Sequence, residues 1–369
     1  MNKRGTRSAN KSKIAKYILE QKGTTKAELA NELGLSMPTV LSSTKELMDD
    51  GIIGEIGEYE STGGRKAKAL AVKPDIKYAA GIDITRNHIT HIIINVHGEI
   101  IDKLRTRKAF ENTTLYYEEL ADSFEQFFKN SHVPNEKLLG VGISLPGIID
   151  QKNELLIRSH ALDVSNINLQ VIGNRLRFKT AYNNDANCAA LAESIKGNQN
   201  VVFLSLKNTV GGSVYIQNEI YAGDNFRSGE FGHMVLVPDG ETCYCNKKGC
   251  LDAYCAARVL SQHTDNNLEH FFDLLDSGDP QVIQIWDKYT NHLAVAVTNL
   301  RMAYDCNIIL GGDVGAHMDK YMDAFSEKVM NYNMFDNDAL YVKTCQYKGE
   351  ASAVGIALTF IHQYFDALI

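Results

Sequence analysis

No apolar run in this chain of 369 residues approaches the roughly eighteen needed to cross a bilayer. The basic first residues, MNKRGTRSANKSK, lack the apolar centre of a signal peptide. Both absences argue against a membrane partner, and the chain reads as cytoplasmic. Cysteine is sparse, at seven residues, and in a reducing compartment such thiols serve metals or the core before disulfides. Cys188, Cys306 and Cys345 read as buried thiols of the core. What is present in quantity is apolar residue, 44% of the chain, enough for two or three domains around a sizeable core. The net charge of -7 is unevenly spread. Residues 1–70 carry 12 Lys and Arg against 9 Asp and Glu, a basic head on an acidic body. That asymmetry suits a DNA-contacting module fused to something else.

The head, residues 1–75, carries the signals of a winged helix-turn-helix domain. Apolar Ile14, Tyr17 and Ile18 predict one amphipathic helix from Lys13 to Gln21. Thr25 and Glu28 form a capping-box pair for a second helix, which Gly34 stops. Ser36 caps a third helix that tolerates Pro38 in its first turn. The runs 52–56 and 68–72 read as strands, with Ser61–Lys66 as a wing between them. Met37, Thr39, Ser42, Ser43 and Lys45 on the third helix are candidates for the major groove of an operator. Lys45, Arg65, Lys66 and the N-terminal arm are candidates for phosphate, and Arg65 also for the minor groove. The alternative is a trihelical protein-interaction module with a solvated basic face.

The body, residues 76–369, alternates strands with helices. Strands are predicted at 78–84, 88–95, 100–106, 138–144, 180–183, 201–206, 213–217 and 307–310. Helices are predicted at 114–129, 186–196 and 281–303, with two more at the end. The pattern partly repeats, which suggests parallel-rich sheets in two lobes with a cleft between them. Lobe I covers about 76–185 plus a C-terminal helix at about 350–369, and lobe II about 186–349. Pro146-Gly147 and Asn184-Asp185 fall at strand ends facing such a cleft.

Residues 229–255, GEFGHMVLVPDGETCYCNKKGCLDAYC, hold Cys243, Cys245 and Cys250, with His233 upstream. Zinc prefers four nitrogen or sulfur ligands in a tetrahedron, and three cysteines with one histidine form a common closed set. Glu230 and Asp252 flank these residues, so a metal there would pin a loop that also presents carboxylates.

These motifs resemble the ROK family of bacterial sugar kinases and sugar-responsive repressors. The resemblance rests on Gly81-Ile82-Asp83, Gly140–Gly147 (GVGISLPG), Asn184-Asp185-Ala186-Asn187, Gly229–His233 (GEFGH), the cysteine spacing and Leu310-Gly311-Gly312. It implies an α/β, actin-like and hexokinase-like bilobal ATPase-type fold behind a winged helix-turn-helix domain. It implies one structural Zn2+ per chain on His233, Cys243, Cys245 and Cys250. It also implies a sugar site lined by Gly147, Asn184, Asp185, Glu230 and His233, with Asp252 where the family usually has Glu.

Asp185 matches the family's catalytic base, so a sugar kinase carrying a DNA-binding head is one reading. The phosphate cradle argues against it. The family's kinases carry Asp-x-Gly-Gly-Thr, whereas this chain has Asp83-Ile84-Thr85-Arg86-Asn87. Glycine lets backbone N–H groups approach phosphate closely, and side chains obstruct that approach. The second loop, Asn208–Ser213, is also thin in glycine. The favoured expectation is a non-enzymatic repressor, a homodimer or dimer of dimers, that binds double-stranded DNA and responds to a monosaccharide or derivative. A constitutive DNA-binding protein whose body only dimerises is a third reading.

Overall fold

The computed structural model describes residues 3–21, 23–59, 67–194, 200–217 and 219–368. The head contains α1 (Lys3–Gln21), α2 (Lys26–Leu33), α3 (Met37–Asp49) and the antiparallel hairpin of β1 (Ile53–Tyr59) and β2 (Ala67–Val72). The sequence placed the first helix from Lys13, but α1 begins at Lys3. The basic N-terminal stretch is therefore helix and not a free arm, as its proline-free run of Lys, Arg and Ala permits. The remaining head signals hold locally. Thr25 Oγ1 accepts from Glu28 N while Thr25 N donates to Glu28 Oε2 (2.8 Å), the reciprocal box expected. Gly34 ends α2 at a φ of 61°, where a side chain would be strained.

The body continues with β3 (Tyr78–Ile84), β4 (His88–Asn95), β5 (Ile100–Arg107), α4 (Thr114–Asn130) and β6 (Leu138–Leu145). Then come β7 (Ile148–Asp150), β8 (Leu155–Ser159), β9 (Val164–Asn168), α5 (Gln170–Gly173), β10 (Thr180–Asn184) and α6 (Asp185–Ser194). The second half holds β11 (Val201–Leu206), β12 (Val210–Ile216), β13 (Glu219–Ile220), α7 (Asp252–Cys255), α8 (Ala257–Ser261), α9 (Leu268–Ser277) and α10 (Pro280–Tyr304). It closes with β14 (Asn307–Gly311), α11 (Gly312–Gly315), α12 (Met322–Met330), β15 (Val342–Thr344) and α13 (Ala351–Asp366).

Two five-stranded sheets follow one plan. The first runs β10-β6-β3-β4-β5 and the second β15-β14-β11-β12-β13. In each, an antiparallel meander is joined to strands that pair in parallel. The strands β3 and β4 are buried almost throughout because both faces are covered. The buried apolar stripe of α4, including Tyr116, Leu120 and Phe124, packs on one face. The other face meets α13 and the head. The second sheet is covered by α10 on one side and by Ala189, Ala190 and Ala351 on the other. The pair α6 and α13 thus lies between the two sheets.

The head is not a loosely tethered module. Ile14 and Ile18 of α1, Leu29, Val40 and Leu70 share one core cluster with Ile92, Ile94, Ala357, Ile361 and Phe365 of the body. Ser12 Oγ donates to the Phe365 carbonyl (2.7 Å), and Lys16 pairs with Asp366. Among the described residues no helix is long and apolar enough to cross a membrane.

Two expectations shift. The strand expected from Ser213 begins at Val210, because Gly211 and Gly212 pair with Ser205 and Leu204 inside the ladder. A Cβ on Gly212 would lie 2.2 Å from the Phe231 ring, so this glycine serves packing. The three-stranded sheet β7-β8-β9 was not foreseen, since its strands are too short to display a period of two.

Candidate functional site

On α3 the buried stripe is Val40, Ser43, Thr44 and Leu47, at helical spacing. Ser43, expected to face DNA, is 2% exposed and belongs to that inner stripe, so it is removed from the groove-facing set. Met37, Ser42 and Lys45 are exposed and Thr39 is partly so. Leu41, passed over as an apolar residue, is 48% exposed beside them. An exposed leucine on such a helix suits contact with thymine methyl groups. Arg65 and Lys66 lie outside the described residues.

The ligand atoms of His233, Cys243, Cys245 and Cys250 lie within 4.8 Å of one another, so these four residues could hold a metal ion. Cys245 Sγ is 3.7 Å from Cys250 Sγ. Zn–S bonds of about 2.3 Å in a tetrahedron give an edge of about 3.8 Å, so the spacing fits. His233 Nδ1 is buried without a hydrogen-bond partner among the described residues, as a ligand nitrogen would be. Burial, then the neighbouring Cys245 and Cys243, push the Cys250 thiol up to about 12. A dication would reverse that by stabilising thiolate. Cys255, in the same sequence stretch, instead faces the core of the second half.

The other side of His233 faces outward. Its Nε2 lies 3.1 Å from Tyr244 Oη and 3.9 Å from Glu230 Oε2. The Tyr244 ring stands 5.6 Å from that of His160, which follows β8 in the first half of the body. Tyr244 thus connects the cysteine-containing segment to the first half of the body. Its sequence position between Cys243 and Cys245 carries no signal of these contacts.

Gly147 follows β6 with a φ of 130°, and a Cβ there would come within 2.5 Å of the Arg158 carbonyl. Its own carbonyl accepts from Asn184 Nδ2 (2.7 Å). Asn184 Oδ1 accepts from the amides of Ala186 (2.8 Å) and Asn187 (3.1 Å), capping α6. Asp185 opens α6, and its Oδ2 accepts from Lys207 Nζ at 2.9 Å. Gly147 and Asn184 are therefore joined at the start of α6 beside Asp185, while Glu230 and His233 group with Tyr244.

Asp252 does not join them. It is fully buried, with Oδ2 accepting from Val210 N (2.6 Å) and Oδ1 paired with Arg258. Arg258 also donates to the Asn208 carbonyl (2.6 Å). The expectation that Asp252 lines the ligand site is corrected. A carboxylate one methylene shorter than glutamate stays with the backbone of the 208–210 turn.

Each glycine-poor loop has backbone donors engaged within the chain, Val210 N of the second by Asp252 Oδ2. Thr85 N donates to the His88 carbonyl (2.9 Å), and His88 N donates to Thr85 Oγ1 (3.1 Å). Arg86 reaches sideways to the Ala161 carbonyl (3.0 Å).

Sequence and structure comparisons agree on a lineage. Residues 79–363 match the ROK family, and residues 7–53 match a winged helix-turn-helix DNA-binding domain. A xylose repressor of Bacillus spizizenii is 26% identical over 314 residues, covering 82% of each chain. The crystal structure of a ROK family transcriptional regulator, a homolog of the Escherichia coli MLC protein, superposes with a TM-score of 0.75 at 19% identity, covering 98% of each chain. A ROK hexokinase from Thermus thermophilus gives 0.65 at 23% identity, covering 79% of this chain and 100% of that one. With the family match spanning most of its length behind a winged helix-turn-helix head, the chain belongs to the ROK family.

Proposed function

We propose that this protein is a transcriptional repressor whose operator affinity is set by a monosaccharide or derivative held in the interlobe cleft. The observation that carries this reading is mechanical continuity. Asp185 on the cleft wall is the first residue of α6, α6 packs along α13, and α13 shares a core with α1 of the head. The contact is tight, since a Cβ on Gly355 of α13 would lie 1.6 Å from the Cys188 carbonyl of α6. A ligand that prefers one arrangement of the cleft would shift α6 and α13, and with them the head. In a two-fold dimer this changes the spacing of the two recognition helices.

Sugar hydroxyls would be taken by Asp185, Glu230 and His233, with Asn184 holding the Gly147 turn. His233, Cys243, Cys245 and Cys250 would hold one structural zinc. With four protein ligands the ion has no open position, so it fixes the Glu230–His233 segment and supplies no reaction chemistry. Metal analysis is expected to find close to one zinc per chain, lost together with sugar binding in Cys245→Ser. A zinc-free protein that bound sugar normally would remove the metal from this account.

Phosphoryl transfer is not part of the proposal. A kinase needs backbone donors for nucleotide phosphates, and here those of Thr85, His88 and Val210 are used within the chain. As a DNA-binding repressor it would act in the cytoplasm. Isothermal titration over a monosaccharide panel, with xylose first because relatives carry its name, tests the reading. One sugar should bind the zinc-loaded protein and fail to bind Asp185→Asn, with no ADP release from MgATP. A panel without binding would remove the sugar, and ADP release abolished in Asp185→Asn would make the protein a kinase.

A further inference from the structure

We infer that α3 reads its operator chiefly through the 5-methyl groups of thymine, with Leu41 as the residue that discriminates. This readout rests on the repressor function proposed above and adds the chemistry by which the DNA is chosen. Hydrogen-bond readout of purines in the major groove relies on Arg or Lys for guanine and on Asn or Gln for adenine. The helix α3, MPTVLSSTKELMD, contains no Arg, Asn or Gln, and Lys45 is its single basic residue.

The hydroxyls of α3 do not make up that deficit. Ser43 and Thr44 belong to the buried stripe, and Thr44 Oγ1 donates to the Val40 carbonyl (2.7 Å). Thr39 Oγ1 lies 2.8 Å from Ser36 Oγ at the helix cap. Ser42 Oγ donates to Glu46 Oε1 (3.1 Å), so this hydroxyl and this carboxylate serve each other.

What the exposed surface of α3 does offer is apolar. Leu41 is 48% exposed and Met37 42%. Met37, Leu41 and Lys45 follow one another at intervals of four, so they form one row along the helix. The row starts in the first turn, the part of a recognition helix that meets base edges, and ends on a cation suited to phosphate. Thymine is the one ordinary base that carries a methyl group in the major groove. A leucine half open to water gains by covering that group, since both lose apolar surface to the contact. Burial of one such carbon corresponds to about a fourfold gain in affinity.

Deoxyuridine tests the inference, because it pairs with adenine as thymidine does and lacks only the methyl. The zinc-loaded, full-length protein selects a duplex from random sequence, and each thymine of that duplex is then replaced singly by uracil. Fluorescence anisotropy is expected to find at least one position where uracil lowers wild-type affinity about fourfold. In Leu41→Ala the difference between thymine and uracil at that position should vanish. Leu41 lies outside the buried stripe, so the variant is expected to keep the wild-type urea midpoint, and the uracil scan of wild type needs no variant at all. A scan in which no uracil lowers affinity, or a loss that persists in Leu41→Ala, overturns the inference and leaves DNA binding itself standing. A protein that selects no duplex would instead remove the repressor function on which the inference rests.

Discussion

At the residue scale, Asp252 has a structural task that its sequence position concealed. Its two oxygens hold Val210 N and Arg258, both of which anchor the 208–210 turn. Removing one partner of a buried pair costs about 3–5 kcal/mol. Arg258 is partly exposed, so Asp252→Ala is expected at the low end, about 3 kcal/mol, read as a lowered midpoint of urea unfolding. His91 makes a second case. It is fully buried on β4 between Phe124 and Phe127, its Nε2 near Ser123, and burial lowers its pKa from 6.5 to about 4. Above pH 6.5 both folded and unfolded chains hold it neutral. As pH falls toward 4 the unfolded chain takes up a proton first, so stability is lost, by about 1.4 kcal/mol per unit at most. His91→Gln should therefore flatten the fall in urea midpoint between pH 6.5 and 4.5 relative to wild type.

The cluster of His233, Cys243, Cys245 and Cys250, which could hold a metal, was legible because three of the four lie within eight positions, where spacing alone constrains geometry. Lys207 was not legible. Its partner Asp185 lies in the other half of the body, and only the fold brings them together.

At the scale of elements, local rules performed where the information is local. Thr25 with Glu28, Gly34 and Ser36 delimited the helix-turn-helix because each cap is satisfied by its own neighbours. The face of α3 was misjudged by one residue, since a small polar side chain such as Ser43 can sit in either stripe. The correction has a measurable counterpart. Lys45→Ala should weaken operator binding and lower the slope of log affinity against log salt by about 1. Ser43→Ala should leave that slope unchanged. Binding titrations at several salt concentrations separate the two, and equal slopes for Lys45→Ala and wild type would move Lys45 off the phosphate backbone. The helix α13 shows the opposite limit. It is apolar nearly all round, which announces burial without saying against what, and its position between α6 and α1 appears only in the fold.

At the scale of the whole molecule, two sheets of one plan face each other across α6 and α13, and the head is built onto the same core. The sequence conveyed the repetition of strands and the basic head. It did not convey the continuity between head and body, because Ile14, Ile92 and Phe365 are far apart along the chain and only tertiary packing joins them. That continuity is the route by which the proposed ligand would act on DNA. Fluorescence anisotropy of the zinc-loaded protein on a labelled duplex, selected by the protein from random sequence, measures it most directly. The account predicts that the sugar identified by titration changes operator affinity at least tenfold in wild type and not in Asp185→Asn. Operator affinity unchanged at saturating sugar would contradict it.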